Sequence, residues 1–115
     1  MMPKSVSVSV PLSEIKEGSM KAQTVEGREI VVCRSKDGIY ALDNICSHAY
    51  ARLNEGRIRG NRLICPLHGA AFDIRDGRAL GPPAMQALPT HPLRVNGDQV
   101  EITVEIPDER PLSWG

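Results

Sequence analysis

The sequence predicts an all-β antiparallel domain, and three observations predict it: strict alternation near the start, short apolar runs separated by turn dipeptides, and no stretch of ten or more residues with helical period. From Ser5 to Val10 serine and valine alternate, which is the period of a half-buried strand, and Pro11 ends the run. Leu12 to Gly18 has room for a single helical turn, with Ser13 as its candidate cap. Four turn signals then precede apolar runs: Glu26-Gly27 before Ile30-Val31-Val32, Asp37-Gly38 before Ile39 to Leu42, Gly60-Asn61 before Leu63-Ile64, and Asn96-Gly97 before Val100 to Val104. Each reads as the tip of an antiparallel hairpin. In strand register Cys33 shares a face with Val31 and opposes Val32, so it reads as a small core residue rather than a ligand. His91, between Thr90 and Pro92 at a strand start, reads as a surface or hydrogen-bonded histidine.

A chain of 115 residues, 41% apolar, supplies one core and hence one domain. Its 14 basic and 14 acidic residues are dispersed along the chain and cancel, which leaves no electrostatic footprint for nucleic acid or an anionic membrane. Aromatic content of 3% supplies no set of base-stacking platforms. The first residues hold no continuous apolar segment and no later run has the length of a membrane span, so the expected location is cytoplasmic. Three cysteines are too few and odd in number for a secreted disulfide framework, and point to metal or redox use in a reducing compartment.

Residues 5–43 and 87–105 read as a basal sheet, and 44–86 as a ligand-bearing insertion that holds every potential His or Cys ligand except Cys33 and His91. Residues 106–115, with Pro107 and Pro111, read as an extended tail. Within the insertion, Asp73 reads as a turn residue that caps the loop after Phe72. Arg52, Glu55, Arg57 and Arg59 read as the solvated face of a hairpin.

Two arms carry the chemistry: Cys46-Ser47-His48 and, sixteen residues on, Cys65-Pro66-Leu67-His68. Each supplies one soft thiolate and one imidazole. Structural zinc sites pair like ligands within an arm, so mixed arms suit two metals better than one, although a single zinc-stabilised interaction module stays as an alternative. With the arms face to face, Cys46 and Cys65 would bind an inner iron, His48 and His68 an outer one, and sulfides would bridge the two.

C-x-H followed by C-P-x-H at this separation resembles the signature of Rieske iron-sulfur domains. The resemblance extends to Gly69 after the second histidine, to Phe72-Asp73, to Gly77 at a turn, and to Gly81-Pro82-Pro83, which is similar to the family's proline loop over the cluster. It implies a Rieske-like β-sandwich with a cluster-binding subdomain set in a basal domain, and one 2Fe-2S cluster on Cys46, His48, Cys65 and His68. A freestanding domain of this length looks like the ferredoxin component of bacterial aromatic-ring-hydroxylating dioxygenases. The implied partners are a flavin-dependent NAD(P)H ferredoxin reductase and a terminal Rieske oxygenase, and the chain itself is an electron carrier rather than an enzyme. A small subunit of a reductase such as nitrite reductase is the related alternative.

The resemblance also bears on potential. Replacing two cluster thiolates by histidines removes two negative charges and lifts potentials to roughly −150 to +300 mV. Rieske proteins of cytochrome bc complexes add a disulfide and two hydroxyl donors to the cluster sulfurs, where this chain has Ala51, Leu67, Ala70 and Phe72. Hydrogen bonds to sulfur stabilise the reduced cluster, so their absence implies a potential on the order of −150 mV. The histidines are expected at an exposed tip with the cysteines buried beneath. Around that tip His48, Ala49, Tyr50, Leu67, His68, Pro82, Pro83 and Met85 form the expected docking patch for weak, transient partners.

Overall fold

In a computed structural model, which describes residues 4–46, 51–66, 69–81 and 86–106, the chain forms strands β1 (Lys4–Pro11), β2 (Met20–Val25), β3 (Arg28–Ser35), β4 (Gly38–Asp43), β5 (Arg57–Arg59), β6 (Arg62–Ile64), β7 (Ala71–Asp73), β8 (Thr90–His91), β9 (Leu93–Asn96) and β10 (Gln99–Ile106). Three antiparallel sheets result: β1-β10-β9, β2-β3-β4-β8 and β5-β6-β7. Helical structure among the described residues is limited to two 3-10 turns, Leu12–Glu14 and Leu53–Glu55. No helix there is long and apolar enough to cross a membrane.

The alternating start becomes β1, which pairs with β10 from Lys4↔Ile106 to Pro11↔Gln99. Strand β10 therefore takes in Ile106, the first residue assigned to the tail, because Lys4 gives it a ladder partner; residues 107–115 lie outside the described residues. Positive φ at both Glu26 (50°) and Gly27 (88°) gives the β2–β3 turn a twist that matches its flanking strands. The turns at Asp37-Gly38 and Asn96-Gly97 are displaced by one residue, since Gly38 pairs with Ser35 and Asn96 with Gln99 as strand residues. Ser13 is not a cap. Pro11, at φ −62° and ψ 131°, is already the extended entry residue, which leaves Ser13 inside the 3-10 turn.

Strand β3 divides the interior. Ile30 and Val32 face a cluster with Val10, Ile15, Val100, Ile102 and Val104, whereas Val31 and Cys33 face one with Leu42, Leu53, Leu63, Phe72 and Ile74. Ile30 to Cys33 are all fully buried, so this strand is covered on both faces and its apolar run is continuous rather than alternating. Cys33 is the core residue its register implied. Burial pushes its thiol up to about 12, which keeps it neutral and unsuited to a metal.

Candidate metal centre

Each ligand arm begins where a strand ends, and both are closed in the same way. After β4, the Cys46 amide donates to the Ala51 carbonyl at 2.8 Å; after β6, the Cys65 amide donates to the Ala70 carbonyl at 2.7 Å. Two six-residue loops of equal closure thus start on a cysteine and contain a histidine two or three residues on. Cys46 and Cys65 are 1% and 2% exposed and belong to the same apolar cluster, the one on the Val31 face of β3. Burial of the thiols beneath their loops is what an inner metal position requires.

The first loop is held by a residue that the sequence reading did not single out. Asn44 is fully buried and engages all four of its polar atoms: its amide donates to Glu29 O (3.0 Å), its carbonyl accepts from Leu53 N (2.6 Å), its Oδ1 accepts from Asn54 N (2.8 Å) and its Nδ2 donates to Asn54 Oδ1 (2.8 Å). The base of the loop is thereby tied to β3 on one side and to the second 3-10 turn on the other. An asparagine after a strand ordinarily signals only a turn, so no local pattern distinguishes this one.

The second loop is brought against the first by a glycine. At Gly56 a Cβ would overlap the carbonyl oxygen of Ile64 and come within 3.2 Å of Pro66 Cδ, so only glycine lets the Leu53–Glu55 turn lie directly on the Cys65 arm. A cleft lined by Glu55, Gly56, Arg57, Ile64, Cys65, Pro66 and Gly69 runs between them. Beyond β7, Asp73 is buried and accepts from the Arg75 amide (2.9 Å) and from the Arg75 Nε (3.0 Å) and Nη2 (2.8 Å), with Arg78 Nη2 at 3.4 Å. The Arg75 guanidinium and amide hold its carboxyl down to about 2 against the opposing effect of burial. Asp73 is a turn-organising residue. Gly77, at φ 79°, donates to the Asp73 carbonyl (2.7 Å) and accepts from the Leu88 amide (2.8 Å), which anchors the far end of the segment carrying Pro82 and Pro83.

His91 is buried and its Nε2 lies 2.8 Å from Asp43 Oδ1, so the hydrogen-bonded reading holds and the surface reading does not. Arg28 completes the group, with Nε and Nη2 3.0 and 3.1 Å from the two Asp43 oxygens and Nη1 2.7 Å from Glu105 O. Burial pushes the Asp43 carboxyl up, but hydrogen bonds from His91 and Arg28 outweigh it and hold the group below its ordinary value. Of these contacts, Arg28 to Glu105 O crosses from the β2-β3-β4-β8 sheet to the β1-β10-β9 sheet.

Of the residues singled out in the sequence, Cys46 and Cys65 are described and brought together in one core. His48, Ala49, Tyr50, Leu67, His68, Pro82, Pro83 and Met85 lie outside the described residues. The donor chemistry fits an iron-sulfur group: two buried soft sulfurs in matched loops, each loop offering one imidazole further out.

Comparison with known proteins agrees. The sequence profile of the Rieske [2Fe-2S] domain matches residues 5–92. The ferredoxin component of the naphthalene 1,2-dioxygenase system of Pseudomonas aeruginosa is 42% identical over 94 residues, 82% of this chain and 90% of that protein. Among solved structures, one from the complex of reduced oxygenase and oxidised ferredoxin in carbazole 1,9a-dioxygenase superposes with a TM-score of 0.81 at 28% identity, covering 90% of this chain and 97% of that one. A protein described as an NADH-dependent nitrite reductase small subunit of Mycobacterium tuberculosis reaches a TM-score of 0.76 at 19% identity, covering 88% of this chain and 96% of that one, a likeness of fold alone.

Proposed function

The chain belongs to the Rieske [2Fe-2S] domain family, and from that membership we propose that Cys46, His48, Cys65 and His68 hold its cluster and that it carries single electrons from an NAD(P)H-dependent, flavin-containing ferredoxin reductase to the terminal oxygenase of an aromatic-ring-hydroxylating dioxygenase. The observation that carries the site is the pair of equal loops, each opened by a buried cysteine in one shared core. When bound, the cluster takes up and returns one electron at a time. Family membership displaces the zinc-module alternative. The nitrite reductase alternative rests on fold likeness only, whereas the dioxygenase ferredoxins share sequence as well.

The residues also bear on the potential. The amides of Cys46 and Cys65 are spent on Ala51 and Ala70, and Ala70 and Phe72 are buried without a hydroxyl to donate. A potential at the low end of the Rieske range, on the order of −150 mV, follows and suits an electron supply from NADH. The division into a basal part, 5–43 and 87–105, and a cluster-binding part, 44–86, is supported by the separate β5-β6-β7 sheet within the latter.

An EPR-monitored redox titration tests the ligand set. The protein should show a rhombic signal of a His-ligated 2Fe-2S centre on reduction, and His68→Cys, which adds a negative charge to the cluster, should lower the midpoint by on the order of 100 mV. An unchanged midpoint would remove His68 from the ligand set. Function is tested separately by reconstitution: with reductase and oxygenase present, oxidation of the aromatic substrate should depend on this protein, and full turnover without it would refute the carrier reading.

A further inference from the structure

The chain is neutral overall, yet its charge is unevenly placed. Residues 44–86 hold six arginines against three carboxylates, Glu55, Asp73 and Asp76, a net of +3, and the remainder of the chain carries the compensating −3. One added electron on the cluster leaves that segment positive.

Folding concentrates this charge on one surface. In the β5-β6-β7 sheet Ile58, Leu63 and Phe72 face the core, so the opposite face presents Arg57 beside Ile64 and Arg59 directly across from Arg62. All three arginines are exposed, and their guanidinium groups have no hydrogen bond or ion pair among the described residues. Asp73, which shares the face opposite Arg62, is already committed to Arg75 and Arg78, and Asp76 accepts from the Arg78 amide. Asp37 is bonded to Asn61, and Glu55 lies at the edge beside Arg57. Like charges directly opposite across strands are destabilising, and the one carboxylate across from Arg62, Asp73, is shared with Arg75 and Arg78, so among the described residues the Arg59–Arg62 pair is only partly offset. Arg57 meanwhile lines the cleft that reaches Cys65.

We infer that this arginine face is a docking surface for a carboxylate-bearing protein face beside the partner's own redox centre. The inference rests on the electron-carrier reading and adds the sign of the partner's surface. Exposed guanidiniums next to a ligand arm steer an acidic surface toward the cluster end and turn the acidic basal end away, which raises encounter rates without a tight complex.

Two surrogate acceptors test it by stopped-flow mixing with the reduced protein: cytochrome b5, whose haem edge is ringed by carboxylates, and cytochrome c, whose haem edge is ringed by lysines. The second-order rate with cytochrome b5 should fall as salt rises and that with cytochrome c should rise, although the protein has no net charge. Arg59→Gln with Arg62→Gln should slow cytochrome b5 reduction at low salt on the order of 10-fold, flatten its salt dependence, and leave the EPR signal and midpoint unchanged. Arg94→Gln, at the far sheet, should change neither rate. Salt slopes of the opposite sign, or none, in the unaltered protein overturn the proposal without recourse to any variant, as does a double variant that matches it. A protein that reduces neither acceptor and shows no cluster signal overturns the carrier reading instead, and this inference with it.

Discussion

Asp73 accepts hydrogen bonds from the amide and guanidinium of Arg75 and from Arg78, and its carboxyl titrates at about 2 against an ordinary value of 3.8. A depressed folded-state value means that the group's contribution to stability is complete above about pH 4 and is lost as pH falls through the folded value near 2. Asp73→Asn should therefore lower urea stability at neutral pH and make progressively less difference as pH falls toward and below about 2, so that the stability curves of the two proteins converge on acidification. Parallel curves would mean that the charge of Asp73 is not what matters. The sequence placed Asp73 at a turn correctly, but not its partners, because aspartate after an aromatic is equally at home in any loop and the bonds depend on how Arg75 and Arg78 fold back over it. Asn44 illustrates the same limit more strongly: four hydrogen bonds to three separate residues follow from tertiary placement and leave no mark on neighbouring sequence.

Strands β5, β6 and β7 have only three residues each, so the sheet that carries the second arm relies on close backbone contact rather than on length. Gly77 is one such contact. Its φ is 79°, and a Cβ there would overlap the Leu88 carbonyl oxygen as well as meet Thr90 Cγ2 at 3.1 Å. Gly77→Ala should cost about 2 kcal/mol or more in denaturant unfolding and weaken the Gly77–Leu88 contact, which limited proteolysis would register as faster cleavage at Leu88. Elements of this kind were legible where turn chemistry is local. Glu26-Gly27 and Gly60-Asn61 sit at their turns, with positive φ at Glu26, Gly27 and Gly60, whereas Asp37-Gly38 and Asn96-Gly97 were off by one, since glycine and asparagine also serve as the first or last paired residue of a hairpin. The equal closure of the two arms was not legible. It is made by backbone amides, which every residue has.

At the scale of the whole molecule, Arg28, Asp43 and His91, from β3, β4 and β8 of one basal sheet, form a buried-edge cluster from which Arg28 reaches across to the Glu105 carbonyl on β10 of the other. Asp43→Ala should leave Arg28 and a buried His91 without their shared acceptor and cost about 2 kcal/mol in chemical denaturation. A cost within error of zero would place the joint in the apolar cluster around Val32 alone. His91 and Asp43 are 48 positions apart, so their contact depends on β8 returning to the edge of β4, a pairing of two residues too short to announce itself. Charge separation, by contrast, was within reach of the sequence. It disappears in a total over the chain and emerges when charge is counted by segment. The three-residue strands carry one last consequence. Nine residues of paired strand give this end of the molecule few ladder bonds of its own beside its apolar packing, and an iron-sulfur group held by both loops would add to its stability. Iron supply would then bear not only on how many copies conduct electrons but on how many are fully folded.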